Sequence, residues 1–225
     1  MPSYTDIAER LAQIGLVARG AFRPAEEDGV PDPAATIVLA GSIGSSLWPA
    51  FSTAPEAEDG QPDPLDRWTQ RVLSTLALEL GATPLFPFGG PPHLPFQRWA
   101  QKAEAVAPSP IGILIHPDHG LWHAYRGALA FATPIDLPPR DQRARPCDSC
   151  ATKPCLSTCP VGAFSRTGYD VARCASHIGA PEGGDCLGGS CLARRACPVA
   201  PDLAYESAQA RFHMTAFLAA RRGKR

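Results

Sequence analysis

The stretch CDSCATKPCLSTCP, from Cys147 to Pro160, places four cysteines in one short segment and ends in Cys-Pro. The chain of 225 residues contains eight cysteines, and none of them lies in the first 146 residues. The other four lie between Cys174 and Cys197, and the last is again followed by a proline, Pro198. One compact region of the chain therefore carries the chemistry of all the cysteines.

The order of the cysteines resembles that of two-cluster ferredoxins. The two groups are Cys147-x2-Cys150-x4-Cys155-x3-Cys159-Pro160 and Cys174-x11-Cys186-x4-Cys191-x5-Cys197-Pro198. In such ferredoxins the Cys-Pro cysteine of each group binds the cluster of the other group. Proline fixes φ and donates no N–H, so it helps to turn the chain away from a cluster. The pattern predicts two [4Fe-4S] clusters, with no cysteine left over.

Three other interpretations of the cysteines stay open. The second gap of the first group is two residues longer than in the usual C-x2-C-x2-C-x3-C-P motif, and the second group is looser still, which leaves room for one cluster plus spare thiols. Cys147-x2-Cys150 with a distant pair would form a tetrahedral zinc site, and the region would then be a structural zinc domain. Disulfides are the weakest alternative, since dense cysteines in a reducing compartment indicate metal or redox chemistry.

The residues between the cysteines suit a buried cluster. Apolar side chains would exclude water, glycines would let backbone N–H groups approach sulfide, and basic side chains would offset the negative charge of thiolates. The apolar residues are Leu156, Val161, Ile178, Leu187, Leu192 and Val199; the glycines are Gly162, Gly179, Gly183, Gly184, Gly188 and Gly189; the basic residues are Lys153, Arg173, Arg194 and Arg195.

The bulk composition excludes several function classes. A formal net charge of -1 offers no basic surface for nucleic acid. No apolar run reaches the roughly 18 residues of a membrane helix, and the N-terminus lacks the apolar core of a signal peptide. We therefore expect a soluble, cytoplasmic protein with no nucleic-acid or membrane partner.

Helices and apolar strands alternate over residues 1–140, which predicts an α/β domain. The predicted helices are 4–18, a helix of about 17 residues opened by Asp63-Pro64, and 96–106. The predicted strands are 17–22, 35–42 and 111–115. A linker near Arg140 leads into the cysteine region, 141–202, and residues 203–225 form a closing helix, capped by Asp202, and a basic tail.

Three further features are weaker indications of function. His116, His119 and His123 have a spacing that could serve a metal or a cofactor, although ordinary roles in a turn and at the surface are favoured. Six aromatic residues could line a flat pocket but are more typical of a core: Trp48, Phe51, Phe86, Phe88, Phe96 and Trp99. Gly41-Ser42-x-Gly44-Ser45-Ser46 follows a buried strand and could contact a phosphate or a cofactor tail. It lacks the Gly-Lys-Ser/Thr ending of a P-loop, so a phosphate role is not favoured.

Residues 98–202 resemble epoxyqueuosine reductase and the related corrinoid-dependent reductive dehalogenases. The order of the cysteines, the element Arg173-Cys174-Ala175-Ser176 and the turn Ile115-His116-Pro117 before Gly120-Leu121-Trp122 carry the resemblance. It implies a nitroreductase-like, cobalamin-type α/β domain, and a ferredoxin-like module with two [4Fe-4S] clusters. It also implies the ligand sets: Cys147, Cys150, Cys155 and Cys197 for cluster 1, and Cys159, Cys174, Cys186 and Cys191 for cluster 2.

The sequence departs from this family at the chemistry. The catalytic aspartate of the family should precede Trp99, but Gly90 stands there in an ungapped match and no acid occupies residues 82–103. A glycine-rich stretch of the family is replaced by Val106–Ile111. Epoxyqueuosine reduction is therefore not expected, and cobalamin binding stays open.

These observations predict an iron–sulfur protein that transfers electrons through two [4Fe-4S] clusters. Its partners would be an electron-donating reductase and an accepting protein or bound cofactor. A small corrinoid-dependent reductase is the first alternative and a structural zinc domain the second, so enzymatic activity as an oxidoreductase is left open.

Overall fold

The structure, a computed structural model, describes residues 2–31, 33–165 and 168–222. The chain forms two compact units, each built from two separate segments. The first unit comprises Met1–Ala105 and His123–Arg143, and the second comprises Val106–Trp122 and Ala144–Arg225. Residues 106–122 thus belong to the same unit as the cysteines, although a long stretch of the first unit separates them in sequence.

The fold is of the mixed α/β class. Within the described residues, the strands are β1 (Val17–Phe22), β2 (Thr36–Ile43), β3 (Thr83–Leu85), β4 (Ala107–Pro108), β5 (Leu114–Ile115), β6 (His123–Phe131), β7 (Phe164–Ser165) and β8 (Gly168–Tyr169). The α-helices are α1 (Tyr4–Gln13), α2 (Trp48–Ser52), α3 (Pro55–Glu58), α4 (Pro64–Leu80), α5 (Phe96–Ala103), α6 (Pro146–Ser149), α7 (Pro154–Ser157), α8 (Val171–Ile178), α9 (Gly184–Gly189), α10 (Leu192–Arg195) and α11 (Ser207–Arg222). Short 3-10 helices are Glu26–Asp28, Pro181–Gly183 and Pro201–Leu203.

A four-stranded antiparallel sheet organises the first unit, in the order β1-β2-β6-β3. Strand β2 is its buried centre: Ile37, Val38, Leu39 and Ala40 are all fully buried. The run of apolar residues without alternation reflects this burial on both faces. The predicted strand 17–22 is confirmed in full and the strand 35–42 within one residue, while β6 was not predicted as a strand.

Helices of the first unit pack against the sheet through their apolar faces. Helix α4 has the predicted length of 17 residues and begins with Pro64 after Asp63. Helix α1 ends at Gln13, earlier than predicted, because Gly15 takes a positive φ of 81° and the chain turns into β1. Of the six aromatics, Phe51, Phe96 and Trp99 are core residues, and the indole N–H of Trp99 donates to the carbonyl of Asp28.

A charged pair is buried inside the first unit. The guanidinium of Arg19, which is fully buried, donates to both carboxylate oxygens of Glu104 at 3.0 and 2.7 Å and to the carbonyl of Ser42. The hydroxyl of Tyr125 donates to the same carboxylate at 2.7 Å. All these groups have partners, so the cluster ties the end of helix α5 to strands β1 and β6 and offers no open coordination site.

Apart from helix α11, the described helices and strands of the second unit are short. Helices α6, α7 and α10 have four residues each, and the predicted strand 111–115 is reduced to Leu114–Ile115. Gly112, with a φ of 83°, forms a turn whose N–H bonds to the carbonyl of Ser109, which breaks that strand. The closing helix begins at Ser207, and Asp202 lies before it in a separate 3-10 turn, Pro201–Leu203, that follows Ala200 at a positive φ. Asp202 therefore does not cap it.

The apolar core of this unit includes the cysteines themselves. Cys147, Cys155 and Cys197 pack among Ile111, Ile115, Leu121 and Ala193. No helix in the described part of the chain is long and apolar enough to cross a membrane.

Candidate metal centres

The first candidate centre is a small cavity of about 20 Å³ lined by four cysteines of the second unit. Two prolines, Pro146 and Pro154, occupy the first helical positions of α6 and α7, where the missing N–H costs nothing. Lys153, in the left-handed conformation, turns the chain between these helices and donates its ammonium to the carbonyl of Cys150. The cysteines at this cavity are Cys147, Cys150, Cys155 and Cys197.

The second candidate centre is a small cavity of about 20 Å³, similar in size to the first. It is lined by one cysteine after α7, one on α8, one on α9 and one just before α10. Apolar side chains such as Val161, Phe164 and Ile178 complete its wall. The cysteines at this cavity are Cys159, Cys174, Cys186 and Cys191.

The last cysteine of each sequence group lines the cavity of the other group. Cys155 and Cys159 are consecutive cysteines of the first group but line different cavities, and the same holds for Cys191 and Cys197 of the second. A short helix lies at each of these changes of cavity. Helix α7 carries Cys155 and ends before Cys159, and helix α10 lies between Cys191 and Cys197. The sets have the same membership as the two predicted ligand sets.

Backbone N–H groups lie close to cysteines of both sets. The N–H of Ala163 donates to Sγ of Cys159 at 3.3 Å. The backbone N–H groups of Ala193 and Arg194 act to lower the pKa of Cys191, and those of Leu156 and Val199 act to lower the pKa of Cys155 and Cys197, although burial outweighs them. None of these five residues is a glycine.

Electrostatics inside each set disfavour bare thiolates. Burial raises the pKa of the Cys147, Cys155 and Cys197 thiols above the ordinary value, and repulsion from thiols of the same set acts in the same direction. Burial likewise raises the pKa of Cys174 and Cys191, again with repulsion from their own set. A polyvalent cation among the sulfurs would reverse this and stabilise four thiolates together.

The basic residues near the cysteines are mostly committed to other contacts. Arg173 pairs with Asp170 and Arg195 with Asp185. Arg194 donates to the carbonyl of Leu121 and to the hydroxyl of Tyr205, and its guanidinium lies 4.4 Å from the ring centres of both Trp122 and Tyr205. These contacts hold the side chain of Arg194 in place.

Two residues near the cysteines differ from the sequence prediction. Leu156 is 37% exposed and does not shield a cavity, since it faces outward from the short helix α7. Tyr169, which was not predicted, stacks on Phe164 of the second cavity, with ring centres 4.7 Å apart. The signal for Tyr169 was its place in a Gly-Tyr-Asp segment, since Asp170 caps the helix that carries Cys174.

The three histidines do not belong to one element. His116 and His119 lie in the second unit with stacked rings, 4.2 Å between centres, and the N–H of Asp118 donates to Nδ1 of His116. His123 begins β6 in the first unit and packs edge-on against Tyr125. The spacing of the three residues along the chain is thus not the spacing of a helical metal motif.

The Gly41–Ser46 stretch is explained by the sheet. A Cβ on Gly41 would lie 1.9 Å from the carbonyl oxygen of Ala124 on the paired strand β6, so only glycine fits there. The N–H of Ile43 is bonded to the hydroxyl of Ser46, which closes the turn after β2. These contacts give the stretch a structural role.

No protein-family model matches the chain, and comparison with curated proteins gives no match either. Fold and site define a mixed α/β protein with a separate cysteine-rich unit, and its function has to be inferred from the eight thiols and their surroundings.

Proposed function

We propose that the second unit binds two [4Fe-4S] clusters and that the protein carries single electrons. The observation that supports this most is the division of eight cysteines into two sets of four around two cavities of similar size. A [4Fe-4S] cluster takes four cysteine thiolates and, when bound, supplies reversible one-electron chemistry at low potential. Cys147, Cys150, Cys155 and Cys197 would hold one cluster, and Cys159, Cys174, Cys186 and Cys191 the other.

The surroundings of the thiols fit such clusters. The cavities have largely apolar walls, and in the second the N–H of Ala163 donates to the sulfur of Cys159; such walls shield a cluster, and such bonds adjust its potential. Four of the eight cysteines are buried and four are partly exposed, so each set is enclosed yet close to the surface. A partner protein can therefore exchange electrons with either set without any opening of the unit.

Zinc suits these spacings less well. Structural zinc sites commonly pair two separate Cys-x2–4-Cys elements, whereas in the first set Cys147-x2-Cys150 and Cys150-x4-Cys155 share Cys150, and Cys197 lies far along the chain. The second set contains one such pair, Cys186-x4-Cys191, while Cys159 and Cys174 are far apart in the chain and cannot supply the second pair. The exchange of the Cys-Pro cysteines between the sets favours the ferredoxin arrangement instead.

The deciding experiment is metal and sulfide analysis of anaerobically purified full-length protein, followed by EPR after reduction with dithionite. Two clusters predict about eight iron and eight acid-labile sulfide per chain, with interacting S = 1/2 signals. About four of each would mean that one set stays empty. Zinc without sulfide would overturn the proposal and leave a structural metal domain.

A corrinoid-dependent reductase is the second candidate, in line with the resemblance over residues 98–202. The observation that favours it is the size of the first unit, a complete body with its own sheet and core that an electron carrier does not need. Titration of the reconstituted protein with cob(II)alamin tests it. A tight complex with an altered corrinoid spectrum would support the reductase, and no spectral change would leave the carrier.

A further inference from the structure

A wide groove lies between helices α8 and α11 of the second unit. Its volume is about 770 Å³, far larger than that of either cysteine cavity. Most of its lining consists of small residues of α8 and of the segment that follows α8, and α11 adds one apolar side chain and one guanidinium. The lining includes Ala172, Ala175, Ser176, Gly179, Leu218 and Arg221.

The groove is an open surface. Every described residue that lines it is exposed or half-buried, and Ala172 and Ser176 are among the exposed ones. Sites for small molecules enclose most of their ligand and direct several polar groups at it. Among the described lining residues, the polar side chains are those of Ser176 and Arg221. Small side chains on an open, largely apolar surface instead allow the backbone of a partner protein to approach closely.

The groove and the second cysteine cavity use different faces of the same two helices. In α8, Cys174 lines the cavity, whereas Ala172 and Ser176 line the groove. In α11, Met214 lines the cavity, and Leu218, about one turn later, lines the groove. A helix with its side chains is only about 10–12 Å thick. A protein seated in the groove would therefore lie about one helix width from the second cavity.

Charge is divided unequally between the two units. The sequence of the second unit contains eleven basic and seven acidic residues, whereas that of the first contains ten basic and fifteen acidic residues. The end of the chain contributes most of this difference, because residues 207–225 include five basic residues and no acidic one. Arg221 brings positive charge to the groove itself, with its guanidinium 5.4 Å from the centre of the Phe217 ring. A partner that complements this surface has an acidic face.

We propose that the groove between α8 and α11 is the docking site of an acidic protein that carries single electrons and exchanges them with the centre held by Cys159, Cys174, Cys186 and Cys191. This inference rests on the proposed function, because it requires a redox centre in the second cavity. One electron passes between the two proteins, so that one is oxidised as the other is reduced. No proton or chemical group is transferred.

The test is stopped-flow electron exchange between the full-length, cluster-loaded protein and an acidic plant-type [2Fe-2S] ferredoxin, in the direction that the two potentials allow. Ser176→Trp places a large ring in the groove without changing the charge. Its second-order rate constant is expected to fall at least about tenfold at any ionic strength, because the ring blocks close approach. The matched control is Ala216→Trp, since Ala216 is exposed on α11 and is not among the residues that line the groove. Its rate constant should equal that of the wild type.

Arg221→Gln tests the charge of the groove. At an ionic strength of about 0.01 M, where charges act over about 30 Å, its rate constant should be about threefold below that of the wild type. At about 1 M, where this range is about 3 Å, the two proteins should agree. The control is Arg145→Gln, which removes one positive charge from the same unit at the start of α6, beside the first cavity. Its rate constant should stay near the wild-type value at both ionic strengths.

Hydrogen exchange supplies a readout that does not depend on electron transfer. Excess oxidised ferredoxin should slow exchange in α8 and in the last turns of α11, and leave α6 unchanged. Ser176→Trp should abolish this protection, and Ala216→Trp should retain it.

Several results with loaded protein would overturn the inference. They are a wild-type rate in Ser176→Trp, equal losses in Arg221→Gln and Arg145→Gln, or no exchange of electrons between the ferredoxin and wild-type protein that dithionite reduces. A wild-type dimer that Ser176→Trp converts to a monomer in light scattering would give the groove to a second copy of the chain, and loss of binding to a labelled DNA duplex in this variant would give it to nucleic acid. Either result would also overturn the inference.

If Ser176→Trp fails to retain iron, Ala172→Trp takes its place, because Ala172 is an exposed residue of the same groove, one turn earlier in α8. The same fall in the rate constant is expected, and a wild-type rate would overturn the inference. Wild-type protein without iron and sulfide would instead overturn the proposed function.

Discussion

Cys155 and Cys159 are four residues apart, yet they line two different cavities. Helix α7 ends between them and Pro160 follows directly, so the chain leaves the first set and enters the second within one turn. Cys197 makes the reverse exchange, because it joins Cys147, Cys150 and Cys155 across a gap of many residues. The two sets are therefore interlocked, and each needs both groups of cysteines.

This interlocking predicts which variants lose which centre. Cys159→Ser should lose the same EPR signal as Cys174→Ser, and Cys197→Ser the same signal as Cys155→Ser, with iron falling from about eight to about four per chain in each case. Iron analysis with EPR of the reduced proteins measures this. If Cys159→Ser instead lost the signal that Cys155→Ser loses, the sets would follow the sequence groups and the proposed assignment would be wrong.

Removal of the metal should unfold the second unit and spare the first. Helices of four to eight residues, such as α6, α7 and α8, are too short to be stable in water without tertiary support. Chelation under oxidising conditions should therefore accelerate hydrogen exchange over residues 144–222 by orders of magnitude. Exchange in β2, at the centre of the sheet, serves as the internal control and should not change. Slow exchange of α8 after complete loss of iron would contradict this prediction.

The buried pair Arg19–Glu104 should be far more important for stability than an exposed pair in the same unit. Glu104→Ala leaves the guanidinium of Arg19 buried and uncompensated, which should lower the free energy of unfolding by about 3–5 kcal/mol. The control is Glu79→Ala, whose partner Arg10 is exposed, with an expected loss within about 1 kcal/mol. Urea dependence of hydrogen exchange in β2 measures both. Equal losses would show that burial does not set the value of the Arg19 pair.

Glu56 should make the first unit sensitive to acid. Hydrogen bonds from the guanidinium of Arg71 lower the pKa of its carboxyl from 4.5 to about 2 in the folded protein. A depressed pKa stabilises the fold above the ordinary value, and this contribution is lost as the pH falls from 4.5 toward 2. The difference in the free energy of unfolding between wild type and Glu56→Gln should be constant above pH 5 and shrink below it, as measured by urea unfolding at several pH values. Arg71→Gln should show the same pH dependence, and a difference that persists at low pH would exclude the ion pair as its source.

Local sequence pattern was sufficient to predict the helices and strands that depend mainly on residues close by in the chain. Strand β1 and helix α4 follow from β-branched and apolar spacing, from Pro64 at the helix start and from Gly81 at its end. Two helix ends were predicted wrongly. Helix α1 ends at Gln13, before Gly15 takes a positive φ, and helix α11 begins only at Ser207, after a 3-10 turn that follows Ala200 at a positive φ. A single residue's backbone conformation depends on what it packs against, so the periodicity of the sequence did not reveal it.

By itself the sequence determined that eight thiols lie in one region, because cysteine positions and their spacing are properties of the chain alone. The tertiary structure decided which thiols meet, that residues 106–122 join the cysteine unit, and that the sheet of the first unit is antiparallel. The physical reason is range: helix and strand propensities act over a few residues. Sets such as Cys147 with Cys197 are formed instead by chain turns and core packing between segments far apart in sequence.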